Sequence, residues 1–138
     1  MSAAQDWDTI AERLKQQLPW SLFTVLDVDW ADGLVRRSFS SDEAHYPSGG
    51  VKHLMKSPWA DQVIFGQEPF ISKDAEDFRK AFADHALLEQ LGLRFALNVP
   101  VLVGSRTAYT VNLLSNVGPF SKASVNLVRK QIAMKTAA

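Results

Sequence analysis

Apolar and polar residues alternate along this chain with two different periods, and each switch of period marks an element. Trp7, Ile10, Ala11, Leu14 and Leu18 recur at helical spacing behind Asp6 or Asp8 as a cap. They predict an amphipathic helix over Asp8 to Leu18 that Pro19 ends. Trp20 to Val28 is apolar and β-branched, Ala31-Asp32-Gly33 is turn chemistry, and Leu34 to Phe39 alternates, so a first hairpin follows, with Arg36 and Arg37 suited to an edge strand. From Ser40 to Lys56 the periodicity lapses and Pro47-Ser48-Gly49-Gly50 accumulates, which predicts a long loop of the functional kind. Ser57-Pro58-Trp59 reads as the cap and first turn of a helix that Gly66 closes, its apolar side being Trp59, Val63 and Ile64. Pro69-Phe70-Ile71 is a short strand, Asp74 to Phe82 a helix, and Asp84 the cap of another that Gly92 ends. Ser121 caps a last helix with the stripe Val125, Leu127, Val128 and Ile132.

Between the last two helices lies the most apolar stretch, Phe95 to Val103 and Arg106 to Leu114, joined by Gly104-Ser105. This is a hairpin with a two-residue turn, Gly104 supplying the positive φ. Pairing Val103 with Arg106 sets an unbroken register in which Leu97 faces Asn112 and Asn98 faces Val111, so that Asn98 and Asn112 point to opposite faces. Both faces of the hairpin are largely apolar, and helices must therefore cover the sheet on both sides.

The motif Leu-Gly-Leu-x-x-x-Leu-Asn-Val-Pro-Val-x-x-x-x-Arg-Thr-x-x-x-x-Asn-Leu-Leu, from Leu91 to Leu114, resembles the central hairpin of GAF domains, and the element order extends the likeness over roughly residues 6 to 134. The resemblance implies one α+β domain over residues 1–138: a GAF/PAS-like central antiparallel sheet of order 2-1-5-4-3, terminal helices on one face, loops and short helices on the other. It also implies a small-molecule site between the sheet and the loop layer. Tyr109 departs from the pattern, since the family usually has Gly there, three residues before a polar residue. A ring at that position is expected either to wall the cavity or to fill it.

Composition narrows the functions. Fifteen basic and fifteen acidic residues cancel, and no basic cluster exceeds a pair, so neither nucleic acid nor an anionic membrane is an expected partner. No apolar run approaches the roughly 20 residues of a membrane span. The polar start lacks the regions of a signal peptide, and a cytoplasmic location is expected. There is no Cys, hence no thiolate, disulfide or Cys-ligated metal. Among GAF-like proteins that rules out the cysteine-dependent free methionine-R-sulfoxide reductases and thioether attachment of a bilin. The Asn, Lys, Phe, Asp, Glu signature of cyclic-nucleotide phosphodiesterase GAF domains is not apparent.

The candidate ligand-binding residues are the large and polar side chains that the middle of the chain would hang over the sheet, Tyr46, Trp59, Phe65, Phe70 and His85, together with Asn98 and Tyr109. Each has a plainer reading as core, since aromatic rings are ordinary core material and His85 beside a capping Asp84 suits a structural role. His45 and His53, eight apart, lack the spacing of a metal pair, and Asp27-x-Asp29-x-x-Asp32-Gly33 fits a hairpin turn better than a calcium loop. No catalytic residue, cofactor or metal is expected; an enzyme would need a nucleophile such as Ser48 near His85, and the spacing does not support one.

These observations lead to a non-catalytic sensory or regulatory GAF domain that binds a small organic metabolite. The alternative is a ligand-free dimerisation or protein-interaction module whose cavity is filled. In either case the stripes Ile10, Leu14, Leu18 and Val125, Val128, Ile132 suggest a homodimer through the terminal helices.

Overall fold

Two apolar hairpins meet side by side, and the sheet grows outward from that seam. The computed structural model describes residues 6–137. Strands β1 (Leu22–Asp29) and β2 (Leu34–Ser40) form the first hairpin, β5 (Phe95–Val103) and β6 (Arg106–Ser115) the second, and β1 pairs with β6 between them. Short strands close the edges, β3 (Val51–His53) on β2 and β4 (Phe70–Ile71) on β5. All pairings are antiparallel, in the order β3-β2-β1-β6-β5-β4. Without β3 this is the expected 2-1-5-4-3. The added strand comes from the stretch read as loop: its backbone pairs with Leu34, Val35 and Arg36, so β2 is an interior strand and not the edge.

One face carries the terminal helices, α1 (Trp7–Lys15) and α5 (Lys122–Ala137). The Asp6 carboxylate accepts from the Thr9 backbone N–H and starts α1. Ile10, Leu14 and Val128 are fully buried against Phe23, Val99 and Val111. The indole N–H of Trp20 donates to Ala11 O at 2.9 Å, pinning α1 to the approach to β1. At the far end of this layer Tyr109 meets Trp7 edge to face, with ring centroids 5.7 Å apart.

The opposite face is covered in two separate pieces. Helix α2 (Pro58–Ala60), capped by the Ser57 hydroxyl, runs directly into a π-helical turn over Asp61–Phe65. The wider turn buries both Val63 and Ile64 and swings Phe65 outward, 40% exposed, where it packs edge to face on Trp30. Gly66 closes the turn, because a Cβ there would lie 2.7 Å from Asp61 O. Helices α3 (Ala75–Ala81) and α4 (His85–Gln90) form the second piece and seal Leu22, Ala96 and Leu114 under Phe78 and Leu88. Both-sided burial of the sheet, expected from the hairpin, is thus met by two layers.

The central register is broken once. Val103 pairs with Arg106 and Leu102 with Thr107, but Val101 pairs with Tyr109, leaving Ala108 as an extra residue on β6. Such a bulge moves every later residue of the strand by one place relative to its partner. Asn98 therefore stands opposite Asn112, on the same face, which corrects the unbroken register and the separation of the two amides read from it. A second bulge, at Ser38 on β2, sits between the pairs Val25–Phe39 and Leu26–Arg37.

Candidate functional site

Between the two pieces of the covering layer the sheet is left open, and a cavity of about 640 Å³ lies over it. Its floor is the row that the Ala108 bulge creates. The Asn98 amide donates to Asn112 Oδ1 at 2.7 Å, Asn112 Nδ2 lies 3.2 Å from the Thr24 hydroxyl, and the Trp59 indole N–H donates to Asn98 Oδ1 at 3.1 Å. Asn98 is wholly buried and Asn112 nearly so, and buried amides of this kind persist because they find partners. The chain of bonds ties the α2 roof to the centre of the sheet. Apolar walls come from Leu26, Val35, Ile64, Leu88 and Leu114.

At the α4 end Tyr46 and Asp84 face each other, the phenol donating to Asp84 Oδ2 at 2.6 Å. Burial, followed by the adjoining carboxylate, pushes the Tyr46 phenol well above its ordinary pKa. Asp84 does not cap α4 with its side chain, contrary to the sequence reading, because its carboxylate is held by Tyr46. His85 lines the cavity, and its Nδ1 lies 2.9 Å from Glu89 Oε2 one turn on. The carboxylate beside His85 is therefore Glu89, not its neighbour Asp84. Glu89 also accepts from Arg79 at 3.1 Å, and these hydrogen bonds, Arg79 first and His85 second, hold its carboxyl below the usual range.

Of the residues singled out in the sequence, Tyr46, Trp59, His85 and Asn98 line this one cavity. Three others do not. Phe65 is turned out by the π-helical turn, and Phe70 pairs with Asn98 at the sheet edge without reaching the cavity wall. Tyr109 lies on the opposite face, against Trp7, because the bulge sets Ala108 aside and pairs Tyr109 with Val101 and Asp27. Its ring neither walls nor fills the cavity.

Sequence reasoning missed Asn112 as a partner of Asn98, and it missed Arg37. Alternation did place Arg37 with Val35 on one face of β2, a cation on the inward side of a strand, and that was the available signal. The Arg37 guanidinium stacks on the Tyr46 ring at 3.7 Å and donates to Pro47 O at 2.8 Å. Ser48, the conceivable nucleophile, is instead hydrogen bonded to Glu43 and does not line the cavity. Among the described residues no group of three His, Asp or Glu is placed to hold a metal ion. Among the same residues no helix is long and apolar enough to cross a membrane.

No protein-family model and no curated protein sequence matches the chain. Solved structures do. The GAF domain/HD domain protein from Geobacter sulfurreducens superposes with a TM-score of 0.73 at 14% identity, over 95% of this chain and 87% of that one. The GAF domain of a two-component sensor histidine kinase from Bacillus halodurans gives 0.68 at 11% identity, over 93% and 89%. The red light-absorbing state of a red/green cyanobacteriochrome gives 0.67 at 15% identity, over 95% and 92%. The protein has a GAF-domain fold, with one short edge strand, β3, added to the order expected.

Proposed function

We propose that this protein is a non-catalytic sensory or regulatory GAF domain that binds a small organic metabolite in the cavity over Asn98 and Asn112. The observation that carries the proposal is the cavity itself. Its volume of about 640 Å³ falls inside the range of small-molecule pockets, roughly 300–1,000 Å³, and it combines apolar walls with a few convergent polar groups. A filled, ligand-free module would place side chains in that space, and the ring expected to do so, Tyr109, is on the other face. The structural neighbours support a sensory role, since they include a sensor histidine kinase domain and a far-red cyanobacteriochrome photoreceptor.

The polar groups around the cavity favour binding over chemistry. Asn98, Asn112 and Trp59 satisfy one another, Asp84 holds Tyr46, and His85 holds Glu89. We further propose that two copies associate through α1 and α5 in the cytoplasm. Their apolar stripes are spent on the sheet within one chain, so that contact rests on the outward polar faces. Native mass spectrometry of the freshly purified protein tests both statements at once. A retained small molecule is expected; a bare chain mass, together with no stabilisation by any compound in a metabolite screen, would sink the sensor.

A further inference from the structure

The whole chain is electrically neutral, yet its cavity is not: Arg37, Lys52, Arg79 and Lys80 line it against one carboxylate, Asp84. That carboxylate already accepts from Tyr46. Two of the cations are also answered from outside the cavity, Arg79 by Glu89 at 3.1 Å and Lys80 by Glu76 at 3.4 Å. Arg37 and Lys52 have no ion pair within the described residues.

These two lie side by side. Lys52 pairs with Val35 on the adjoining strand, and Arg37 is two residues further along β2 on the same, cavity-facing side, so the two cations form a diagonal pair across the β2–β3 ribbon. The Ser38 bulge keeps Arg37 opposite Leu26 on that face. Arg37 is half-buried and held in place, its flat face on Tyr46 and one N–H on Pro47 O. The guanidinium also acts on the Tyr46 oxygen, and with five N–H donors in all it has others to offer a further group. The Glu43 carboxylate acts on Arg37 only from beyond ion-pair distance; a cation partly withdrawn from water without a direct ion-pair partner is costly, and a fixed planar fork is suited to a carboxylate or phosphate.

We infer that the cavity ligand carries an acidic group, a carboxylate or a phosphate ester, which binds the Arg37 guanidinium with Lys52 beside it, while its less polar body lies over the Asn98–Asn112 floor. This rests on the small-molecule reading above and adds the charge of the ligand and the residues that select it. A neutral or cationic compound of the same size would leave Arg37 without a direct ion-pair partner.

The test is a thermal-shift and tryptophan-fluorescence screen at low salt with size-matched carboxylic acids, phosphate monoesters, alcohols and amines. Binders are expected among the first two sets, and the set that contributes them tells carboxylate from phosphate. Arg37→Gln and Lys52→Gln should each weaken an acidic binder by about tenfold or more, the size expected for a hydrogen bond to a charged group, while Arg37→Lys retains part of the affinity. Lys52 is exposed on a short edge strand, so its substitution answers even where Arg37→Gln disturbs the 46–50 loop. Hits confined to alcohols or amines, or acidic hits whose affinity survives both substitutions, overturn this inference and leave the sensor standing. A screen without hits overturns both.

Discussion

Asn98 and Asn112 face each other across the β5–β6 ladder, amide to amide at 2.7 Å, in the middle of a largely apolar sheet. Removing one partner strands the other. Asn98→Ala leaves the Trp59 N–H and Asn112 Oδ1 without acceptor and donor in a buried place, and should cost roughly 2–4 kcal/mol. Replacing both by Leu removes donors and acceptors together, and its cost should fall short of the sum of the single Leu substitutions. Urea melts of the single and double variants measure this; strict additivity would show the pair to be energetically independent.

Tyr46 gives a pH test with a definite sign. Its folded-state pKa is raised, so its contribution is intact below the unfolded value near 10 and is lost as pH rises through the higher folded value. The stability of the wild type should therefore decline on the alkaline side of about pH 10, and Tyr46→Phe should flatten that decline. At neutral pH the same variant should lose about 1 kcal/mol with the hydrogen bond to Asp84. With only two tyrosines in the chain, an absorbance titration of the variant reads Tyr109 alone. Superimposable alkaline limbs would contradict the raised pKa.

Tyr109 should matter to stability and not to binding. Its ring is shared between partial burial and the edge contact with Trp7, so Tyr109→Ala should cost roughly 2–3 kcal/mol, below the range for a fully buried aromatic. Tyr109→Phe keeps the ring and should melt like the wild type. Any compound bound by the wild type should bind both variants with unchanged affinity at a temperature where they are folded. A selective loss of binding in Tyr109→Phe would place the ligand on the wrong face of the sheet.

Pairing of two copies through α1 and α5 would bring together Glu12, Arg13, Lys15, Arg129 and Lys130, all exposed and charged. Such contacts are screened by salt, the Debye length falling to about 3 Å at 1 M. Four of these five are basic, so two such faces repel each other, and light scattering at micromolar protein should show the single-chain mass at low salt shifting toward the dimer at high salt. A single-chain mass throughout would remove the pairing.

Much of the fold was legible because its elements obey one period each. The 3.6-residue stripe of α1, the Ser57-Pro58 start of α2 and the positive φ required at Gly104 are local signals, and each element starts close to where they put it, although α1 ends at Lys15 and not at Leu18. Strand β3 was not legible, because Val51-Lys52-His53 is exposed at all three positions and carries no apolar alternation; its pairing is decided by the neighbouring backbone. The site was half legible. Trp59, Tyr46, His85 and Asn98 followed from aromatic and polar residues in the covering segments, whereas Phe65 and Tyr109 were misplaced by a π-helical turn and a bulge, each worth one residue of phase. Neither device has a composition of its own: Ala108 is as acceptable in a regular strand as in a bulge.

The Ala108 bulge makes the cavity's chemistry a matter of counting residues. Between the Gly104-Ser105 turn and the amide row, β6 holds one residue more than β5, and side chains change sides with every residue. Deleting Ala108 alone would make the two arms equal, so that an unbulged ladder still sets Val101 opposite Tyr109 and Asn98 opposite Asn112, whereas deleting a residue of β5 between the turn and Asn98 would leave β6 with a second unmatched residue. Length variants of this hairpin should thus keep the cavity floor while the two arms differ by no more than the one residue a bulge absorbs, and lose it when the difference grows.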